Sequence, residues 1–383
     1  MTMIIWSFGF LRMGTVGIVA QLFGKSDYRE IVRTLLRNFI LCLILSFLII
    51  LFSPIIIKIV NNIFFTSVST QELINIYIKV RVFSIPAEFT IYILIGFYLG
   101  IQKTNISSFL IIIFSAFNIF FSSFFVLSLN LNVFGVALGT LIASYFTAIL
   151  FTIYTYYFII KKFQIIPNLQ KLFIQSKILK LFNINFDIFI RTVLLTFSFL
   201  WITYIGSKLG ESYLAINTIL IQFIFLSSFF LDAYAFSTEG IIGYTIGRKN
   251  KKSFLMAVKN SIQLSFFTGL LISLLFLFSF KQIINILTDI EILRFMSYKH
   301  ALWVILIPPV ASFCYQLDGI FLGASQTKEI RNGMIISVIS FILLSTQLVK
   351  IFGNHGLWLA LLLFMILRSL TLNFYFYKIL KKF

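Results

Sequence analysis

The sequence has little charge for its length, and acidic residues are especially scarce. Of its 383 residues, 11% are Asp, Glu, Lys or Arg, and only 12 are acidic. Soluble globular domains carry about 25% charged residues. The hydrophobic fraction is 60% and the mean hydropathy is +1.02. Together these values exclude a water-soluble fold and indicate a chain that lives in lipid.

Cysteine and histidine are also rare, with two of each. Cys42 and Cys314 lie in apolar stretches without metal-ligand spacing, so we expect buried thiols, no disulfide and no metal site. His300 and His355 lie at predicted helix ends without a partner motif, so we expect interfacial positions. The sequence has no nucleophile elbow and no phosphate-binding loop, which argues against a membrane enzyme and predicts no cofactor.

Apolar runs of membrane length are abundant. A hydrocarbon core about 30 Å thick takes about 20 residues of helix. Runs of this order recur along nearly the whole chain, which predicts an all-α polytopic membrane protein. The predicted helices cover residues 1–23, 35–60, 76–100, 107–129, 134–160, 186–207, 214–246, 258–283, 300–323, 333–351 and 355–379.

The Lys and Arg residues are concentrated in alternate loops between these helices. Because cytoplasmic loops are enriched in Lys and Arg, the net charge of +19 predicts a topology and no nucleic-acid partner. The predicted cytoplasmic segments are 24–34, 161–185, 247–257 and the C-terminus, and the predicted periplasmic loops are 61–75 and 284–299.

The longest polar stretch, residues 161–185, is basic and contains Pro167. It divides the predicted helices five to six. We therefore predict an N-terminal lobe at 1–160, a basic cytoplasmic linker at 161–185 and a C-terminal lobe at 186–383.

The sequence repeats itself at a constant offset of 223 residues, as from Gly17 to Gly240. Such a repeat predicts two lobes built from equivalent helices. At this offset the helix 186–207 pairs with residues before Met1, so we expect two six-helix lobes with the first helix missing from a truncated chain. The alternative is an eleven-helix protein that begins at Met1. Further aligned pairs are Thr15 with Thr238, Pro86 with Pro309, Tyr92 with Tyr315, Gly96 with Gly319, Gly100 with Gly323 and Thr104 with Thr327.

Four sequence words resemble signature segments of the DinF-like branch of the multidrug and toxic compound extrusion (MATE) family. They begin at Trp6 (WSFGFLRMGTVGIVAQLFG), Leu231 (LDAYAFSTEGIIGYTIGRKN), Leu317 (LDGIFLGASQTKEIRN) and Gly353 (GNHGLWLALLLF). The order matches the second to the twelfth helix of that family, so the resemblance covers essentially the whole chain.

The resemblance implies an antiporter of the bacterial inner membrane, surrounded by lipid and expected to be monomeric. Such a protein exports bulky, often cationic organic compounds in exchange for protons or sodium ions. Two alternatives stay open at this point: a lipid-linked oligosaccharide flippase of the same superfamily, and a non-transporting truncated remnant.

Ionisable residues inside a membrane span are expensive and therefore functional candidates. Asp318 matches the tenth-helix acid that binds the coupling cation in some family members, and a low-dielectric site favours the protonated carboxyl. The alternative is a structural acid hydrogen-bonded within its own lobe. Asp232 is a second candidate, and Glu239 is expected to pair with Arg248.

Three further positions come from charge spacing or from sequence words. Asp187 and Arg191 are four residues apart and are predicted to form a structural pair on one helix. Arg12, in the word FLRMGT, is expected either to extend to the interface or to pair with an acid.

The resemblance also implies a proton site in the first lobe, formed by an Asn and an Asp four residues apart and a Thr on the next helix. Here the positions are Asn118, Ser122 and Thr140, and a serine at 122 leaves the site without its carboxyl. Two prolines and one tyrosine complete the candidates: Pro86 and Pro309 as equivalent hinges, and Tyr315 in the substrate cleft.

Overall fold

The computed structural model describes residues 2–63, 68–165 and 172–383. Over these residues every regular element is a helix, which confirms the predicted fold class. The chain divides into two compact units, Met1–Asn185 and Phe186–Phe383.

The first unit consists mainly of long apolar helices. Its described helices are α1 (Thr2–Ser7), α2 (Phe10–Gly24), α3 (Tyr28–Leu51), α4 (Ser53–Ile63), α5 (Val68–Arg81), α6 (Ile85–Gly100), α7 (Thr104–Ser123), α8 (Asn132–Phe158) and the beginning of α9 (Gln175–Leu209). A 3₁₀ turn, Val82–Ser84, joins α5 to α6, and short π-helical segments follow α7 and α8.

The second unit contains the rest of α9 and six further helices in its described residues. These are α10 (Glu211–Gly247), α11 (Lys251–Leu287), α12 (Glu291–Lys299), α13 (Ala301–Gly323), α14 (Thr327–Phe352) and α15 (Asn354–Leu380). Its core is apolar and includes the fully buried rings of Phe341, Trp358 and Phe364.

Within the described residues, 11 stretches are long and apolar enough to cross a membrane, which confirms the predicted number. Large apolar side chains also cover the outside of both units. Phe120 of α7 is 61% exposed and Phe278 of α11 is 76% exposed. Apolar surfaces this extensive suit a hydrocarbon environment and not water.

Every predicted loop is partly helical in its described residues, including 24–34, 247–257 and 284–299, into which α3, α11 and α12 extend. Helix α9 begins at Gln175, so the second half of the predicted linker 161–185 belongs to a helix. Polar residues such as Lys177 interrupt the apolar run there without breaking the helix. A prediction based on apolar runs therefore placed the start of this helix too late in the chain. Pro167 lies outside the described residues. Helix α5 likewise begins at Val68, inside the predicted loop 61–75, of which residues 64–67 are not described.

The internal repeat is visible in the backbone. Ser26, in the turn from α2 to α3, has a φ of 59°, and the repeat-equivalent Lys249, in the turn from α10 to α11, has a φ of 54°. The next residues, Asp27 and Asn250, each cap the following helix by accepting a hydrogen bond from a backbone N–H, at 3.1 and 2.9 Å. The two turns are therefore built in the same way.

Equivalent helix pairs pack through equivalent glycines. A Cβ atom placed on Gly96 of α6 would lie 2.6 Å from the backbone oxygen of Arg12 in α2, and a Cβ on Gly319 of α13 would lie 2.6 Å from the oxygen of Ala235 in α10. Only glycine permits such close backbone approach. The offset from Arg12 to Ala235 equals that from Gly96 to Gly319, so the repeat extends to contacts between helices.

The word GNHGLW has a structural explanation. The side-chain amides of Asn217 and Asn354 exchange two hydrogen bonds of 2.8 and 2.9 Å, and Trp358 Nε1 donates to Asn217 Oδ1 at 2.9 Å. All three side chains are buried. Because unpaired amides are costly in an apolar interior, this closed network fixes α15 against α10.

Candidate functional site

Three charged side chains meet inside the second unit. Asp318 of α13 accepts hydrogen bonds at Oδ2 from Arg191 Nη2 of α9, at 2.5 Å, and from Arg368 Nη2 of α15, at 2.7 Å. Charge-assisted contacts of this kind are among the strongest hydrogen bonds in proteins. We call Arg191, Asp318 and Arg368 the charged triad, and it joins three membrane-spanning helices.

The charged triad is isolated from solvent. Asp318 is 4% exposed, Arg191 is 8% exposed and Arg368 is 2% exposed. Two guanidinium groups face one carboxylate, so the triad carries a net charge of +1 when all three are ionised. The Nε atoms of both arginines have no hydrogen-bond partner among the described residues. Such a cluster is stable only while its carboxylate is present.

The predicted local pair of Asp187 and Arg191 is wrong, because each residue binds a partner on another helix. Asp187 contacts Arg331 Nη1 at 2.7 Å and accepts a hydrogen bond from Thr327 Oγ1 at 2.9 Å, both on α14. Spacing of four residues places Asp187 and Arg191 on one face of α9. That face packs against other helices of the second unit, which supply Arg331 to Asp187 and Asp318 to Arg191.

Asp232 and Tyr315 lie near the charged triad in the same unit. Asp232 is half-buried on α10, and its carboxylate is close enough to Tyr315 and Cys314 of α13 to act on both electrostatically. Three of the predicted site residues, Asp318, Asp232 and Tyr315, are therefore grouped around the α10 to α13 packing.

Glu239 of α10 is buried against the end of α13. It is 1% exposed, and its backbone oxygen faces Gly323 of α13. The predicted partner Arg248 is exposed and its Nη1 donates instead to Tyr244 Oη at 3.1 Å.

The first unit contains a buried ion pair that the sequence analysis missed. Arg81 Nη1, at the end of α5, contacts Glu88 Oε1 on α6, and the hydroxyl of Ser84 donates to the same carboxylate oxygen at 2.7 Å. The 3₁₀ turn beside Pro86 brings these groups together. Arg12 of α2, the predicted candidate in this unit, is 8% exposed.

Asn118 and Ser122 of α7 and Thr140 of α8 lie near one close helix contact. A Cβ on Gly139 would lie 2.6 Å from Ser122 Cα, so the two backbones touch beside Thr140. The hydroxyl of Thr140 donates to the oxygen of Val136 in its own helix at 3.0 Å. The serine supplies no titratable carboxyl, and the predicted first-lobe site has none at these three positions.

The two hinge candidates differ in local structure. Pro86 lies in the first turn of α6, directly after the 3₁₀ turn that separates α5 from α6. Pro309 lies inside α13 next to Pro308, and the helix continues through both residues. The equivalent prolines therefore interrupt a span in the first unit and leave it continuous in the second.

The two histidines are partners at the junction of α12, α13 and α15. The rings of His300 and His355 stack 4.2 Å apart, and Trp303 Nε1 donates to His355 Nδ1 at 3.0 Å. Burial lowers the pKa of His300, and the hydrogen bond with the backbone oxygen of Met296 opposes this shift only in part. Among the described residues no three His, Cys, Asp or Glu side chains form a metal-binding group.

Comparison with known proteins places this geometry in context. The MatE family model matches residues 1–124 and 188–349. The chain is 31% identical over 363 residues to DNA damage-inducible protein F of Escherichia coli (strain K12), covering 95% of this chain and 79% of that protein. It is 24% identical over 302 residues to Protein DETOXIFICATION 43 of Arabidopsis thaliana, covering 77% of this chain and 55% of that protein. A multidrug resistance MATE family transporter of the MOP superfamily, solved in an outward-facing conformation, matches 100% of this chain and 86% of its own with a TM-score of 0.89 and 17% identity.

Proposed function

Because this chain belongs to the MatE family of multi-pass membrane transporters, in its DinF-like branch, we propose that it is an antiporter. It exports bulky organic compounds, often cationic, in exchange for protons or sodium ions. The observation that carries this proposal is the charged triad, because an acid held between two cations on three helices can couple ion binding to helix movement.

The charged triad acts as a clamp in this proposal. While Asp318 is ionised, it binds Arg191 and Arg368 and holds α9 and α15 against α13. An ion bound to the carboxylate weakens both contacts, because it neutralises the negative charge of Asp318 that attracts the two guanidiniums. The helices then separate more easily. Ion binding at Asp318 thus promotes the helix movement that releases the substrate.

The number of available ligands favours a proton over a sodium ion. Either ion adds one positive charge to the charged triad, so the charge balance does not distinguish them. A sodium ion would also need several oxygen ligands beside two guanidiniums, whereas a proton needs only one carboxylate oxygen. We therefore propose proton coupling through Asp318, with Asp232 as the nearest other acid.

Transport by a charge-free variant tests this proposal. The triple variant Arg191→Met, Asp318→Leu, Arg368→Met replaces the charged triad by apolar side chains, which often preserves stability. In cells that carry equal amounts of folded protein, the parent chain should export a fluorescent organic cation and the triple variant should not. Asp289→Asn, which changes an exposed acid, is the control and should export normally.

Export by the triple variant at the parent rate would show that the charged triad is only structural. Absence of export by the parent would favour the non-transporting remnant. Movement of a lipid-linked oligosaccharide by the parent, without export of the cation, would favour the flippase.

We also propose that the protein lies in a bacterial inner membrane with its C-terminus in the cytoplasm, because Lys and Arg residues concentrate on that side. Lys252→Cys and Glu291→Cys, each introduced without Cys42 and Cys314, test this topology at two exposed helix starts. A membrane-impermeant maleimide added outside should label position 291 in intact cells and position 252 only after permeabilisation. The opposite labelling pattern would show that the topology is the inverse of the proposed one.

A further inference from the structure

An apolar groove lies on the surface of the first unit. It is a cavity of about 180 Å³ between α3 and the segment from Leu172 through the beginning of α9. Its walls include Ile40, Leu41 and Ile44 on α3, and Leu181 and Phe182 on α9. We call this cavity the α3/α9 groove. Apart from Arg37, the side chains that line this cavity are apolar, which suits a hydrocarbon chain better than ordered water.

The walls of the α3/α9 groove are held in place by one buried arginine. Among the described residues, Arg37 is the one charged residue that lines the cavity. Its Nη1 binds Glu30 Oε1 at 2.7 Å, and its Nε donates to the oxygen of Leu172 at 2.8 Å. The bond to Leu172 connects α3 to the segment before α9, and the bond to Glu30, within α3, fixes the orientation of the guanidinium. The shape of the groove is therefore fixed by specific bonds within the first unit.

Large apolar side chains at the groove are exposed. Phe173 is 74% exposed, Phe182 is 54% exposed and Ile44 is 53% exposed. Exposed aromatic and aliphatic groups beside lysines are typical of a segment that lies at the membrane surface, with its apolar side among acyl chains. The groove thus opens toward lipid.

Basic groups surround this apolar surface. Lys177 lies 3.8 Å from Glu30 and remains 48% exposed, and Lys25 and Lys177 are close enough to Lys180 to interact with it electrostatically. Residues 24–37 contain four Lys or Arg and two acids, and residues 172–185 contain two Lys and no acid, so these segments carry a net charge of +4. Arg33, Arg37 and Lys177 share the single carboxylate of Glu30, so positive charge is in excess here.

We propose that the α3/α9 groove binds an anionic phospholipid. One acyl chain occupies the groove, and the phosphate lies against the ammonium groups of Lys177, Lys180 and Lys25. Anionic lipids are attracted to clusters of lysine and arginine beside a membrane span, whereas zwitterionic lipids lack the net charge. The bound lipid would hold the beginning of α9 at the membrane surface.

Native mass spectrometry of the full purified chain tests the charge requirement. The parent should retain phosphatidylglycerol more strongly than phosphatidylcholine with the same acyl chains. Lys177→Gln with Lys180→Gln should weaken phosphatidylglycerol binding roughly tenfold or more. The matched control is Lys251→Gln with Lys252→Gln, which removes two exposed lysines at the beginning of α11 and should change nothing. Equal retention of both lipids, or an equal loss in the control, would overturn the proposal.

A second variant tests the apolar half of the site. Ile44→Trp enlarges an exposed side chain that lines the groove and leaves every charge in place. It should lower retention of phosphatidylglycerol, because the acyl chain and the indole compete for the same space. Unchanged retention would show that the groove is not used. Displacement of the lipid by glycerol phosphate alone would identify a soluble anion as the occupant and would also overturn the proposal.

Discussion

Replacing Asp318 with Asn is expected to lower the free energy of unfolding by about 3–5 kcal/mol, the usual cost of removing one partner from a buried ion pair. The two guanidiniums of Arg191 and Arg368 would stay buried without a counter-charge. Thermal unfolding of the purified protein in detergent measures this effect. The variant should unfold at a clearly lower temperature than the parent.

Two further variants separate charge from shape at this position. The triple variant with Met at 191 and 368 and Leu at 318 should recover most of the lost stability, because it leaves no buried charge. Asp289→Asn should have little effect, since the Asp289 carboxylate is exposed and its contact with Arg294 is 3.2 Å at the surface. An Asp318→Asn protein that unfolds at the parent temperature would mean that the charged triad does not hold the helices together.

Replacing Gly323 with Ala is expected to cost about 3 kcal/mol or more, at the upper end of overpacking effects. The new methyl group would overlap the backbone oxygen of Glu239 and would lie 3.1 Å from Ile242 Cβ. A backbone oxygen inside a helix cannot move aside without displacing the helix. Thermal unfolding in detergent should show a large loss of stability, or the protein should fail to accumulate.

The repeat supplies a second test of the same contact. Gly100 is the equivalent of Gly323, and a Cβ there would lie 2.7 Å from Val19 and 3.1 Å from the backbone oxygen of Val16. Gly100→Ala should therefore be destabilising as well. Gly333→Ala is the matched control, because its nearest neighbour is the Thr371 hydroxyl at 3.0 Å, which can rotate away. A harmless Gly323→Ala would contradict the proposed close approach.

The repeat could be read from sequence because it depends on residues that backbone geometry requires. Glycines at 96 and 319 permit close helix contacts, and caps at 27 and 250 start equivalent helices. The pattern even predicts positions that were not singled out: Gln102 and Ser325 are equivalent and have φ values of 59° and 51°. Glycines at close helix contacts and side chains that cap a helix are required by the local backbone, so they can be recognised in the sequence without knowledge of the fold.

Partners of buried charges were not predictable in the same way. Arg191 and Asp318 are 127 positions apart, and spacing along α9 favoured Asp187 as the partner. Only packing of α9 against α13 decides between them. A weaker signal was nevertheless present, because Arg81, Glu88 and Arg368 all lie inside predicted membrane helices, where ionisable residues are functional candidates.

Proton counter-transport in proteoliposomes is the most direct test of the central claim that Asp318 couples ion movement to export. The liposomes contain a pH-sensitive dye, and a gradient of the organic cation is imposed without any pH or sodium gradient. With the parent chain, substrate movement in one direction should drive protons in the other, and the triple apolar variant should show neither flux. Substrate movement by the parent without proton movement, or an equal proton flux in the triple variant, would contradict the account.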